Sequence, residues 1–175
     1  MNKGLVHLYF GDGKGKTTAA IGLGVRACGR GKKILLVRFL KDNDSGEILA
    51  LEGNSLFTIL KDRPVKKFIP YMNNEEKTEA FTSQHELFIM ATEELKNEQY
   101  GLVIFDELID ILNEGIVSVQ ELENFLNTKP QNLEVVITGH NPKAELFDLC
   151  DYVTEMKKVR HPYDKGITGR MGIEK

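Results

Sequence analysis

Leu5-Val6-His7-Leu8-Tyr9-Phe10-Gly11-Asp12-Gly13-Lys14-Gly15-Lys16-Thr17-Thr18 is the stretch on which the reading of the fold turns. Its first six residues are apolar or β-prone and read as a strand. The three glycines that follow permit a tight turn, and Thr17 to Arg30 reads as a helix that Gly31 is placed to end. Strand, glycine-rich turn and helix are the frame of a phosphate loop, in which backbone N–H groups converge on phosphate oxygens. Here Gly11, Asp12, Gly13, Lys14, Gly15, Lys16, Thr17 and Thr18 are expected to hold phosphate, with Lys16 as the fixed cation and the Thr17 hydroxyl as a Mg²⁺ ligand. All the loop amides are expected to point inward. Phe10 stands where the usual motif has its first glycine, so the match is to Gly-x-Gly-Lys-Gly-Lys-Thr. A glycine-rich turn with an exposed lysine is the plainer alternative, and the flanking strand and helix weigh against it. Gly22 and Gly24 each cost about 1 kcal/mol relative to Ala inside a helix, which predicts close packing of that helix on a sheet.

Outward from this stretch, apolar runs alternate with amphipathic ones. Lys33–Leu40, Leu56–Leu60, Gly101–Phe105, Leu133–Thr138 and Tyr152–Val159 read as further strands, buried on both faces. Glu75 to Asn97 places Phe81, Phe88 and Leu95 at heptad spacing on one long helix. Ser118-x-x-Glu121 is a capping box that opens a helix toward Asn127, with Pro130 beyond its end, and Asn141-Pro142 suits the start of another helix through Leu149. This order predicts an α/β fold with a mainly parallel sheet and helices on both faces, in one nucleotide-binding domain over residues 1–175. Lys41–Asn54, Lys61–Asn74 and His161–Lys175 read as long loops.

Two more strand ends bear chemistry. Leu102-Val103-Ile104-Phe105-Asp106-Glu107 is an apolar strand closing in two carboxylates, on the rim where parallel α/β sheets bind ligands. Beside a phosphate loop such acids hold Mg²⁺ or orient a water; taken alone, a cap for the next helix is as good a reading. Thr138 and His140, after the fifth strand, are either phosphate sensors or a polar turn. His7, His85 and His161 lack partners at metal-ligand spacing and read as structural.

With a net charge of −3 and no block of basic residues, nucleic acid and anionic membrane are poor partners. No apolar run approaches membrane-spanning length. Cys28 and Cys150 are too few and too far apart for a disulfide framework or a zinc site, which points to a reducing cytoplasm.

Taken with their order, these motifs resemble the P-loop corrinoid adenosyltransferases, which act on cob(I)alamin or cob(I)yrinic acid a,c-diamide. The resemblance rests on Gly11 to Ala20, Val37-Arg38-Phe39-Leu40-Lys41, Phe105-Asp106-Glu107-Leu108 and Val136-Ile137-Thr138-Gly139. It continues through Leu149 to Glu155, Val159-Arg160-His161, Gly166 and Met171-Gly172-Ile173-Glu174, and covers nearly the whole chain. It implies a RecA-like fold, a homodimer, ATP and Mg²⁺, a reductase that delivers Co(I), and transfer of the 5′-deoxyadenosyl group to Co(I) of a corrinoid with release of triphosphate. In the family the triphosphate lies in the loop with reversed polarity, exposing C5′. By the same resemblance Lys16, Thr17 and Glu107 are catalytic, Thr17 and Glu107 hold Mg²⁺, and Asp106 supports that shell.

The chain departs from the family's pattern in three places. His140 stands where the family has Arg, and a neutral imidazole is not a guanidinium. The first strand begins almost at Met1, without the N-terminal extension of better-studied members. The chain has no tryptophan for the Phe–Trp pair that shields the corrin, leaving Phe68 and Tyr71 as candidates by position. Two other readings stay open on sequence alone: a P-loop ATPase or phosphotransferase with Glu107 orienting water or a hydroxyl, and a non-catalytic protein that binds ATP and handles corrinoid.

Overall fold

Ile34-Leu35-Leu36-Val37 is apolar at four successive positions because helices cover both of its faces. Leu35 and Val37 join a core with Val103, Phe105, Val135 and Ile137, whereas Ile34 and Leu36 join a second core with Leu102, Ile104 and Val136. Successive side chains of a strand point to opposite faces, so two separate cores built from alternate residues mean one sheet between two helical layers. A computed structural model describes residues 3–41, 45–60, 69–97 and 99–174.

The sheet has six strands: β1 (Val6–Phe10), β2 (Ile34–Arg38), β3 (Phe57–Leu60), β4 (Leu102–Asp106), β5 (Glu134–Gly139) and β6 (Tyr152–Glu155), in the order β3-β2-β4-β5-β1-β6. Every pairing is parallel. Strand β5 separates the loop-bearing β1 from the acid-bearing β4, as expected of a RecA-like fold. One face packs on α3 (Asn74–Asn97), α4 (Leu108–Asn113) and α5 (Val119–Thr128) through Leu87, Phe88, Ala91, Leu95, Leu112, Leu122 and Phe125. The other packs on α1 (Lys16–Cys28) and α2 (Gly46–Leu51) through Ala20, Ile48 and Leu51. Phe105, next to the site, lies within 6.3 Å, centroid to centroid, of the rings of Phe39, Phe88 and Phe125. Its full burial contributes about 1.5–3 kcal/mol and anchors the strand end that follows.

The capping box is present in full, with Ser118 and Glu121 bonded reciprocally. His85 has a partner in space, Glu121 at 2.7 Å, which ties α3 to α5; His7 likewise meets Glu134 at 2.6 Å. Several expectations need correction. The stretch Lys41–Asn54, read as a loop, contains α2, whose Ile48 and Leu51 are buried. The helix expected from Asn141 to Leu149 is a 3₁₀ helix over Ala144–Leu149. Strand β6 stops at Glu155 and is exposed along its length, because it lies at the sheet edge. Gly24 packs as expected: a Cβ there would lie 3.1 Å from Ile104 Cδ1 and Phe57 Cζ. Gly22 does not, since it is exposed with nothing within 4 Å of a built Cβ. Phe68 and most of the loop assigned to Lys61–Asn74 lie outside the described residues, and Tyr71 is 78% exposed.

Candidate functional site

The loop between β1 and α1 is shaped by the chain that leaves β6. Gly11 and Gly15 take φ of +117° and +118°, and a Cβ at Gly11 or Gly13 would stand 2.5 Å from the Met156 carbonyl oxygen. Only glycine fits there. The Gly13 N–H donates to that oxygen at 2.7 Å, so this amide turns away from the loop interior and the expectation that all loop amides converge is corrected. The Asp12 carboxylate likewise bonds to the chain leaving β6, accepting the Lys158 N–H at 2.8 Å, which holds its pKa below the ordinary value. Lys14 reaches the tail, donating to the Ile173 carbonyl at 3.1 Å and the Glu174 carboxylate at 3.2 Å. Bonds from Arg170, joined by that from Lys14, pull the pKa of Glu174 down to about 2. Lys16 folds back on the loop, donating to the carbonyls of Gly11 at 2.8 Å and Gly13 at 3.1 Å. Burial depresses its pKa.

Asp106 is fully buried at the end of β4. Its Oδ1 accepts from the hydroxyls of Thr17 at 2.8 Å and Thr138 at 2.7 Å, and its Oδ2 accepts from Lys41 Nζ at 2.7 Å. Thr138 therefore positions both acids, since it also accepts the Glu107 N–H at 3.0 Å. Glu107 occupies the cap position of α4 without making a side-chain cap bond, so the helix-cap alternative fails. Its φ of +64° is a left-handed conformation costing a non-glycine residue on the order of 1 kcal/mol, and it turns the carboxylate onto the rim. There Glu107 meets Lys41 Nζ at 3.1 Å. Burial, reinforced by Asp110 and Asp106, raises the Glu107 pKa against the pull of Lys41. For Lys41, burial works against the ammonium, and the carboxylates of Asp106 and Glu107 outweigh it to raise its pKa.

His140 completes the rim. Its Nδ1 lies 3.2 Å from Asp110 Oδ1 and 3.6 Å from Glu107 Oε2, and the bond to Asp110 raises its pKa above the ordinary histidine value despite partial burial. A protonated imidazole there supplies part of the positive charge of an arginine, without the bidentate fork.

These groups line one cleft of about 400 Å³, bounded by Gly13 to Thr18, Arg38, Lys41, Glu107, His140 and Glu174. Three lysines and an arginine facing one cleft suit a polyanion. A larger cleft of about 650 Å³ runs along α3, but Glu75, Glu79 and Glu86 line it, which suits a triphosphate poorly. Of the expected site residues, Gly13, Lys14, Gly15, Lys16, Thr17, Thr18 and Glu107 line the first cleft, Asp106 lies buried behind it, and Gly11 and Asp12 shape it from outside. The roles of Lys41, Asp110 and Thr138 escaped sequence reasoning. Lys41 follows β2, and β2 pairs with β4 so that Arg38 stands opposite Asp106. Only that adjacency brings Lys41 to the acids.

The chain matches the family described as ATP:corrinoid adenosyltransferase BtuR/CobO/CobP over residues 2–174. It is 31% identical over 174 residues to the corrinoid adenosyltransferase of Escherichia coli strain K12, covering 98% of this chain and 86% of that one. It is 32% identical over 176 residues to the corrinoid adenosyltransferase CobA of Salmonella typhimurium, with the same shares covered. With a phosphate loop and paired acids meeting at one rim, and a match of this length, the chain belongs to the ATP:corrinoid adenosyltransferase family.

Proposed function

We propose that this chain transfers the 5′-deoxyadenosyl group of ATP to Co(I) of a reduced corrinoid and releases triphosphate, acting as one nucleotide-binding domain over residues 1–175. The observation that carries this reading, in a chain of this family, is the meeting of Lys16, Thr17, Asp106 and Glu107 at the rim of one cationic cleft. Co(I) gives an electron pair to C5′, the C5′–O bond breaks, and the triphosphate leaves with that bond's electrons. No proton is exchanged, so no side chain need act as general base. What the chain must supply is alignment of C5′ and compensation of the leaving group's charge.

Lys16 exchanges the carbonyls of Gly11 and Gly13 for triphosphate oxygens, and Lys14 and Arg38 add charge along the cleft. Thr17, Glu107 and Asp106 are the residues that hold Mg²⁺ in this reading, Asp106 by orienting the Thr17 hydroxyl. Their fit to a cation is supported by Lys41, whose ammonium rests among oxygens of all three. Bound there, Mg²⁺ would neutralise charge on the triphosphate. Tyr71, exposed before α3, is the described candidate for contact with the corrin. The proposed setting is a cytoplasmic homodimer receiving Co(I) from a reductase; no described helix is long and apolar enough to cross a membrane.

The test is incubation with ATP, Mg²⁺ and chemically reduced cobalamin, followed by separation of the phosphates. Triphosphate in one-to-one ratio with the new Co–C bond is expected, with little ADP or phosphate when corrinoid is left out. ADP as the main product would replace this reading with an ATPase or phosphotransferase.

A further inference from the structure

Lys41 Nζ lies 3.1 Å from Thr17 Oγ1, 2.7 Å from Asp106 Oδ2 and 3.1 Å from Glu107 Oε1. One nitrogen thus meets oxygens of all three residues assigned above to Mg²⁺. We propose that Lys41 is a tethered cation: it holds the metal position before nucleotide arrives, yields it to Mg²⁺, and then places its ammonium on the triphosphate. The inference rests on the Mg²⁺ assignment and adds to it a residue that competes for that position.

Two charges cannot share the position. Mg²⁺ draws its oxygens in to about 2.0–2.1 Å, shorter than ammonium contacts, and at about 3 Å a monovalent and a divalent cation repel strongly even at an effective dielectric of 20. Metal entry therefore requires the ammonium to leave. The backbone beneath it is fixed: Leu40 has a φ of +54°, and its N–H donates at 2.8 Å to the side chain of Gln84, which is 1% exposed. The movement is left to the four-carbon stem, which is flexible and lines the same cleft as Lys14, Lys16 and Arg38. An ammonium released from Asp106 and Glu107 has a polyanion as its nearest new partner. In the absence of nucleotide, the same ammonium offsets the repulsion between the two carboxylates.

Two effects of opposite sign follow for Lys41→Met. Without nucleotide, Mn²⁺ (the probe, followed by electron paramagnetic resonance) should bind at least about tenfold more tightly than to the wild-type chain, since its tethered competitor is gone. With Mn²⁺ present, ATP should bind about tenfold more weakly, since the triphosphate has lost a cation. Unchanged or weaker Mn²⁺ binding in the folded variant without nucleotide, or unchanged ATP binding, overturns the proposal. Glu107→Gln separates this failure from that of the underlying assignment. If it leaves Mn²⁺·ATP binding unchanged, the metal assignment is wrong. If it weakens that binding while Lys41→Met tightens nothing, only the tethered-cation role is lost. Should Lys41→Met not fold, Lys41→Gln takes its place; if neither folds, rescue of folding by millimolar Mn²⁺ supports the proposal and lack of rescue overturns it.

Discussion

The four inner strands and the edge strand β6 divide the work of this molecule differently. Strands β2, β4 and β5 are buried almost throughout, and they place Asp106 and Thr138 within a packed interior. Strand β6 is exposed along its length and adds little to either core, yet the chain leaving it makes the contacts that shape the phosphate loop. Met156 receives the Gly13 N–H, Lys158 donates to Asp12, and the tail beyond gives Ile173 and Glu174 to Lys14. The lesson is that stability and site geometry reside in different parts of one sheet. Changes at the inner strand ends should damage both, whereas changes along the edge contact should damage the site with little effect on the fold.

The largest expected effect lies on the inner side. Asp106→Ala leaves Lys41 and Thr138 without their buried acceptor, and breaking a buried charge pair costs about 3–5 kcal/mol. Denaturant unfolding should show that loss together with near-complete loss of activity; a stable, active variant would erase the distinction drawn above. Next, Lys16→Ala should abolish adenosyl transfer and weaken ATP binding by a hundredfold or so with little change in melting, on the order of a charged hydrogen-bonding group lost from an anion site. Isothermal titration would read it. On the edge side, Gly13→Ala drives a Cβ to within 2.5 Å of the Met156 carbonyl, so the loop must shift. ATP affinity should fall by about tenfold or more while the denaturation midpoint moves little, and an equal fall in both would refute the division.

Smaller effects sharpen the same contrast away from the site. Gly24→Ala should destabilise, because Ile104 and Phe57 stand 3.1 Å from the new Cβ, while Gly22→Ala should stabilise by up to about 1 kcal/mol, as thermal melting can compare. Glu121 links α5 to α3, and its bonds to Ser118, then to His85, lower its pKa from 4.5 to about 2. A carboxylate with a depressed pKa contributes stability above its unfolded value, and this contribution fades as pH falls from 4.5 toward 2. Glu121 is 37% exposed, so the effect stays below about 1 kcal/mol, and Glu121→Gln should flatten that part of the stability–pH curve.

The sequence was most legible where one residue's pattern answers to its neighbours in the chain. The apolar runs that became the strands, the heptad of Phe81, Phe88 and Leu95, and the Ser118–Glu121 box are all local signals, and each found its element. Gly11 to Thr18 was legible for the same reason, with strand and helix on either side. Lys41 was quoted only as part of a motif, because its partners depend on β2 lying next to β4. The helix α4 entered only through the cap alternative at Asp106-Glu107, and the left-handed turn at Glu107, which frees the carboxylate from that cap, leaves no mark in composition. The bonds of Asp12 and Gly13 stayed hidden for a further reason: their partners are the backbone of Met156 and Lys158, and backbone groups carry no residue signature.

The clasp on the phosphate loop also sets an order in time. Asp12 and Lys158 are 146 positions apart, and Lys14 and Glu174 are 160 apart. At about 5–20 residues per second, a ribosome needs on the order of ten seconds after completing the loop to produce the segment that closes on it. The glycine-rich loop thus leaves the ribosome well before the segment that clasps it, and takes its final shape only once that segment has followed. A nascent chain holding β1 and α1 would meet cellular ATP with its loop unclasped, so the loop geometry described above belongs to chains long enough to include the clasping segment rather than to shorter growing fragments.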